Sequence, residues 1–365
     1  MKGFPLAFTS AFLLVFAGST AGALPRFATL SGTKCSSCHV DPAGSGMRQA
    51  FGLQYGRENL PVPAWSSGTG IEDVSNVIAN FLSVGADFRT LYYVVQRPSA
   101  PPLSSFYQMQ GDLYLDFALA RRVSVYFNKG LYNGFQAFGL LTILPARGFI
   151  KAGKFVPNFG TRLDDHTAFI RRLTGFTPED ASNRYEKTGM EIGLSPGPLT
   201  FTAGVYNSLG NDAQAGTAKA YLGRIEGMFS FADKFNLGLG ANAFTTRTVA
   251  GTKQDLYGAF GSCDIGKLVV FGELDYLHTP ALRTTGFISY VEMDYPLVRG
   301  LDLKLAYDFY DPSIDLKSGA NSRYTVGVEF FPLPGVEVRP LYRIVRETPV
   351  EVRNNEFDIV LHCYI

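Results

Sequence analysis

The amino-acid sequence predicts an all-β fold, a transmembrane antiparallel β-barrel of about sixteen strands. Three observations predict it. Apolar and polar residues alternate along most of the chain after residue 77, turn residues interrupt the alternation at short intervals, and no internal apolar run is long enough for a membrane helix. Hydrophobic residues make up 46% of the 365 residues and charged ones only 18%, below the roughly 25% usual in soluble domains. A spanning helix needs about 18 or more unbroken apolar residues. Strands with one lipid-facing side give moderate hydropathy by alternation instead. A soluble all-β protein is the other reading of the same composition. The 30 Phe and 19 Tyr, with 39 Gly, suit strands, interfacial girdles and turns. A net charge of +1 gives no electrostatic footprint for nucleic acid, and four cysteines are too few for a disulfide scaffold.

The chain starts with the pattern of a signal peptide. Lys2 supplies the positive start, residues 4–16 form a short apolar core, and Ala21-Gly22-Ala23 is an A-x-A cleavage site that predicts a mature start at Leu24. The apolar core is too short to serve as a membrane anchor.

Shortly after that start comes Cys35-Ser36-Ser37-Cys38-His39, the C-x-x-C-H pattern of c-type haem attachment. Two thiols at this spacing can form thioethers to the two vinyl groups on one edge of the macrocycle, and the adjacent His39 is then the proximal iron ligand. A redox disulfide or half of a zinc site uses the same C-x-x-C. The first needs a βαβ context, which is not visible, and the second needs a nearby ligand pair, whereas Cys263 and Cys363 are isolated. Haem is favoured over both. Export places such a chain where haem is attached and where outer-membrane barrels are assembled. Pro42, Gly44 and Gly46 predict a tight loop, residues 47–56 a short helix ending at Gly56, and Pro61, Pro63, Ser66, Ser67 and Gly68 a linker. About fifty residues are too few for an independent haem core, so this segment is expected to plug or cover the barrel's mouth. The predicted organisation is a signal peptide over 1–23, a haem-binding segment and linker over 24–75, and an outer-membrane β-barrel over 76–365.

In the barrel, Leu301, Leu303, Leu305, Tyr307 and Phe309 share one face and Asp302, Lys304, Ala306 and Asp308 the other. Residues 323–330, 336–344 and 113–119 alternate likewise. Turns fall at 195–198, 232–234, 265–266 and 332–335. The candidate strands lie at 83–95, 106–119, 122–130, 136–143, 147–155, 186–194, 198–207, 218–230, 234–246, 252–264, 267–278, 284–296, 300–311, 322–333, 335–346 and 354–364. Fourteen is the alternative count, because the strands around 122–155 are poorly separated. A cylinder this wide cannot fill its interior with side chains, so the apolar faces must look outward at lipid. Residues 357–365 form a terminal amphipathic strand, although Ile365 replaces the aromatic that usually ends such strands. The lumen charges Asp116, Glu273, Asp275, Asp302, Lys304, Arg339 and Arg343 show no clear ion preference. One connection, residues 157–184, is far longer than ordinary loops and carries Arg162, Asp164, Asp165, His166, Arg171, Arg172, Glu179, Asp180 and Arg184.

Residues 35–48 (from Cys35 to Arg48), together with Gly153-Lys154-Phe155-Val156-Pro157-Asn158-Phe159-Gly160 and Leu163-Asp164-Asp165-His166-Thr167, resemble a group of outer-membrane proteins of metal-reducing and related bacteria. These join one N-terminal monohaem C-x-x-C-H motif to a porin-like barrel. The resemblance covers nearly the whole mature chain; its haem motif is specific and its barrel similarity mostly architectural. It implies one covalent haem c, held by Cys35, Cys38 and His39, and electron transfer at the outer membrane. It also implies that the long connection after the fifth strand folds into the pore; an extracellular surface loop is the alternative. For the second axial ligand His166 is favoured over His362, and both over Met47; a vacant iron is a further alternative. His278 ends an upward strand and is expected far from the haem, and Cys263 and Cys363 read as free thiols. One haem cannot bridge about 30 Å of hydrocarbon, so partner cytochromes on one or both sides of the membrane are implied. The alternative function is a porin-type channel that the haem segment plugs or gates. An enzyme with an open haem site is a weaker third.

Overall fold

The computed structural model describes residues 25–365 apart from 67, 69, 71–73, 132–133, 164, 175–185, 209–217, 232–234, 248–250 and 317. The expected signal peptide, the turn at 232–234, and Ser67, Asp164, Glu179, Asp180 and Arg184 lie outside the described residues. Sixteen strands form one antiparallel sheet that closes on itself. They are β2 (Leu82–Arg97), β3 (Ala100–Ala120), β4 (Val123–Gly130), β5 (Phe135–Leu144), β6 (Gly148–Phe155), β7 (Lys187–Leu194), β8 (Leu199–Asn207), β9 (Lys219–Phe231), β10 (Phe235–Arg247), β11 (Lys253–Ile265), β12 (Leu268–Thr279), β13 (Thr284–Val298), β14 (Leu301–Asp311), β15 (Asn321–Leu333), β16 (Val336–Glu347) and β17 (Glu356–Tyr364). A three-residue strand, β1 (Val77–Ala79), adds to the start of β2. Each candidate strand has its counterpart, including the three around 122–155, so the count is sixteen and not fourteen.

Closure runs through β17 and β2, where Asp358 faces Tyr93 and His362 faces Arg89. Every backbone donor and acceptor in the wall can then be paired, which hydrocarbon demands. The alternation is inside out relative to a soluble protein. Leu305, Tyr324, Val326, Leu239 and Tyr257 are exposed on the outer face, while Lys304, Arg323, Thr325, Glu329 and Asp358 are buried facing the lumen. Connections at the rim that holds the end of β17 are short, such as residues 121–122, 266–267 and 334–335. Those at the other rim are longer, among them 156–186, 312–320 and 348–355. Short turns at one rim and long loops at the other are the asymmetry of outer-membrane barrels.

Two pieces of chain fill the lumen. The first is residues 25–66, with α1 (Pro25–Leu30), α2 (Ala50–Glu58) and α3 (Pro63–Ser66). No pattern in the sequence marked α1, which packs against β10, β11 and β12. Its Arg26 is buried among Asp294 at 3.3 Å, Asp302 at 3.7 Å and Glu329. Helix α2 runs past the predicted end at Gly56, because its last turn closes at Asn59, whose N–H donates to the Tyr55 carbonyl at 2.9 Å. The expected linker is also different. Residues 61–65 are docked on the wall: the Val62 N–H donates to the Phe331 carbonyl at 3.0 Å, and Trp65 stands edge-on to Phe330 at 5.4 Å. Arg299, in the turn between β13 and β14, donates to the carbonyls of Pro61, at 3.1 Å, and Glu58. The prolines that suggested a spacer instead fix φ where the chain turns against the rim.

The second piece is the described part of the long connection between β6 and β7. It folds inward, with α4 (Phe169–Arg172) packed against β12, β13 and β14. The Phe169 N–H donates to Asp308 Oδ1 at 2.8 Å, Arg343 pairs with Asp165 at 3.0 Å, and Arg323 donates to the Thr167 carbonyl at 3.1 Å. These residues therefore do not form a surface loop.

Candidate functional site

The cysteine motif sits in a short 3-10 turn, Cys35–Ser37, in which the N–H groups of Cys38 and His39 both donate to the Cys35 carbonyl at 3.1 Å. That turn puts Cys35 and His39 on one side of the segment. The chain then reverses through Gly44 (φ 85°), Ser45 (φ 65°) and Gly46 (φ 66°). It returns antiparallel, with a bridge from His39 to Arg48 and a 3.1 Å bond from the Val40 N–H to the Met47 carbonyl. Gly46 is needed twice over. Its φ is left-handed, and a Cβ there would come within 2.6 Å of Tyr126 Oη. Gly52 lets α2 lie directly on Cys38, where a Cβ would meet the Cys38 Cβ at 2.9 Å.

His39 Nδ1 is 3.3 Å from the Gly46 carbonyl. With Nδ1–H donating there, Nε2 keeps the lone pair, which is how ligating histidines are commonly oriented. Cys35, His39 and His166 line one lumen cavity of about 720 Å³, together with Gly44, Gly46 and Arg162. A second cavity of about 670 Å³, lined mainly by apolar residues such as Ala28, Phe260 and Phe271, adjoins it at Pro25, Cys35 and Arg162. Cys38 is fully buried beneath α2 and borders neither space. Burial pushes the Cys35 thiol up to about 11 and the Cys38 thiol up to about 12, so both are neutral thiols at pH 7. Cys35 and Cys38 are not joined in a disulfide. Cys263 and Cys363 lie on β11 and β17, on the lipid-facing side of the alternation. The one close set of three potential metal-binding side chains among the described residues is Glu292, Asp294 and Glu329, and Arg26 and Lys304 already neutralise it.

The structure sorts the three distal candidates. His166 shares the cavity with His39, and its Nε2 lies 3.1 Å from Arg89. His362 is buried with Nδ1 at 3.0 Å from Glu337 and Nε2 at 2.8 Å from Asp87, so both nitrogens meet carboxylates. Met47 is buried in the cluster of Val40, Tyr114, Tyr126 and Phe138. It pairs with Val40 in the reversal while His39 pairs with Arg48, so its side chain takes the face opposite His39. His278, on β12, bonds Thr285 and is not part of either cavity.

Sequence reasoning missed the residue that ties these parts together. Lys151 on β6 is 0% exposed and pairs with Asp41 of the haem-motif loop at 3.0 Å and with Glu191 of β7 at 2.8 Å. Glu191 in turn accepts from the Asn158 N–H of the inward loop at 2.8 Å. One buried charge network thus joins motif, wall and loop. Only its position on the polar face of a strand marked Lys151, and that is true of many residues.

The barrel is built like those of the outer-membrane porins. An anion-selective porin from Comamonas acidovorans superimposes with a TM-score of 0.58 at 12% identity, over 78% of this chain and 99% of that one. OmpT of Vibrio cholerae, an outer membrane protein, gives 0.56 at 11% identity, over 79% and 100%. The outer membrane channel DcaP of Acinetobacter baumannii gives 0.55 at 10% identity, over 80% and 100%. At these identities the likeness establishes the fold. No protein-family model matches the chain, and no curated protein matches it.

Proposed function

We propose that the protein is an outer-membrane, porin-type barrel whose lumen is plugged by an N-terminal segment carrying one covalent haem c, and that this segment controls passage through the pore. The observation that carries this reading is the seating of residues 25–66 inside a closed, polar-lined cylinder, with Cys35 and His39 turned to an internal cavity. Cys35 and Cys38 would hold the porphyrin and His39 its iron, with His166 of the same cavity as the candidate second ligand; Cys38, which borders neither cavity, would have to turn out from beneath α2 to do so. The haem would supply a one-electron couple at that place. The chain's own residues supply the rest. Lys151 and Arg26 fix the segment to the wall, and Gly46 lets the loop reverse against Tyr126.

The test is planar-bilayer conductance together with the absorption spectrum of the same purified preparation. A pigmented protein with small or intermittent conductance, which rises when Arg26 and Lys151 are replaced, is expected. A colourless preparation, or a steady wide pore in the wild-type protein, would refute the reading.

A second reading, electron transfer, is supported by one specific observation. His39 and His166 line a single cavity, and histidine is among the axial ligands that haem proteins use. It calls for partner cytochromes on the periplasmic side and, for transmembrane traffic, outside the cell. Rapid reoxidation by an added cytochrome at rates above those of free haem would support it; no exchange would count against it.

A further inference from the structure

Among the described residues two buried arginines lack a counter-ion, and both border the cavity that Cys35 and His39 line. Arg162 is 9% exposed and donates from Nη2 only to the carbonyls of Val156, at 2.8 Å, and Pro157, at 2.9 Å; its Nε has no partner. Arg171 is 2% exposed and donates to the carbonyls of Phe159, at 3.3 Å, and Thr161, at 3.2 Å. Neither forms an ion pair. The carboxylates nearest Arg162 are Asp41 and Glu191, and both are held by Lys151. The carboxylates whose charge favours the Arg171 cation are Glu273 and Asp275, neither in an ion pair with it; Glu273 accepts from the Thr161 N–H. The cavity wall carries Arg48, Arg89, Arg162 and Arg171 together with Asp87 and Asp112, and Arg48 pairs with Asp87 at 3.3 Å.

Carbonyls satisfy the hydrogen bonds of a guanidinium but not its charge, and an unpaired buried charge is expensive. Burial lowers both groups, Arg171 to about 9, where neighbouring Arg162 lowers it further. Few structural arginines are left in this state, and arginine is the side chain best shaped to receive a carboxylate through two parallel bonds.

We infer that Arg162 and Arg171 form a carboxylate seat inside the barrel. On the reading above, which this deepens, its occupants are the two propionates of the haem, carboxylates of the kind a guanidinium receives through paired bonds. A free carboxylate entering the lumen has the same chemistry and is the other source. The seat lies on the inward loop, so an occupant attached to Cys35 links the N-terminal segment to that loop by charge as well as by packing.

The experiment uses the full-length protein in detergent, as wild type, as the double variant Arg162→Gln/Arg171→Gln and as Arg162→Lys/Arg171→Lys. Heat-modifiable gel mobility confirms in each case that the barrel is folded. Two quantities are read, the haem midpoint potential and the binding of succinate by calorimetry. If the propionates occupy the seat, the Gln variant keeps its covalent haem and its ferrous-to-ferric ratio at a fixed potential falls about tenfold, equivalent to 59 mV for one electron. The Lys variant stays near the wild type, and none of the three binds succinate. If a free carboxylate occupies it, the wild type binds succinate and the Gln variant does not. A pigmented, folded Gln variant with an unchanged potential, and no succinate binding by the wild type, would overturn the inference. If the wild-type protein proves colourless, the haem reading fails on its own, and succinate binding to that haem-free barrel decides the arginine pair.

Discussion

Along β14 and β15 every second residue repeats one rule: Leu301, Leu303 and Leu305 share a face, opposite Val326, Val328 and Phe330, for the length of each strand. The segment 25–66 inside has no repeat. It is held by single contacts between residues far apart in sequence, Arg26 with Asp294 and Asp41 with Lys151. The wall is redundant: one cross-strand pair contributes only about 0.2–1 kcal/mol, and its neighbours carry on without it. The lumen is not, because removing one partner of a buried ion pair leaves a charge stranded, at about 3–5 kcal/mol. Mutations should therefore separate a robust container from fragile contents.

The largest separation is expected from the double variant Cys35→Ala/Cys38→Ala. Haem staining of the membrane fraction should vanish while heat-modifiable mobility stays that of the wild type; a protein that keeps its stain would break the assignment of the motif. Lys151→Met comes next. It strands Asp41 and Glu191, so the N-terminal segment should become sensitive to protease under conditions where the wall resists, a loss of about 3–5 kcal/mol in docking. A container mutation should do the reverse. Leu305→Arg places a charge on the lipid face and should lower the denaturant midpoint of the whole barrel by the equivalent of about 2–4 kcal/mol if it lies at mid-depth, with haem content per folded molecule unchanged. Gly46→Ala should weaken docking of the segment by about 1–3 kcal/mol, through backbone strain at positive φ and the contact with Tyr126.

The smallest effect concerns pH. Burial alone would raise the Asp165 carboxyl, but Arg343, Arg323 and Arg339 hold it well below the usual carboxylate range. A carboxyl lowered on folding contributes stability above its unfolded value, about 3.9, and loses it only as pH falls through the folded value. Anchoring of the inward loop by Asp165 should therefore be flat between about pH 7 and 5, as read by conductance noise. Asp165→Asn should raise that noise equally across the same interval.

How legible each region was follows from the same contrast. The period-two pattern announced every strand of the cylinder, because a strand that slips by one residue exchanges its two faces and lipid does not tolerate that. Cys35, Cys38 and His39 stood out as a motif by their spacing, which the haem-staining experiment above puts to the test. The inward course of the long connection was legible only through its length and its place after the fifth strand. Helix α1 carried no signal, since six residues are too few for a helical period. The linker prolines misled because the same rigidity serves a spacer and a docked turn. Choosing among His166, His362 and Met47 was beyond the sequence, because it depends on which strand faces which across the closed sheet.

By itself, then, the sequence determined the cylinder and the direction its apolar face takes, since both follow from local periodicity. Only the tertiary structure decided that Lys151 joins motif, wall and loop, that His362 meets two carboxylates while His166 shares a cavity with His39 and meets Arg89, and that Arg162 and Arg171 border the same cavity without an ion pair. Those outcomes depend on contacts spanning tens to hundreds of residues, and sheet closure sets them all at once.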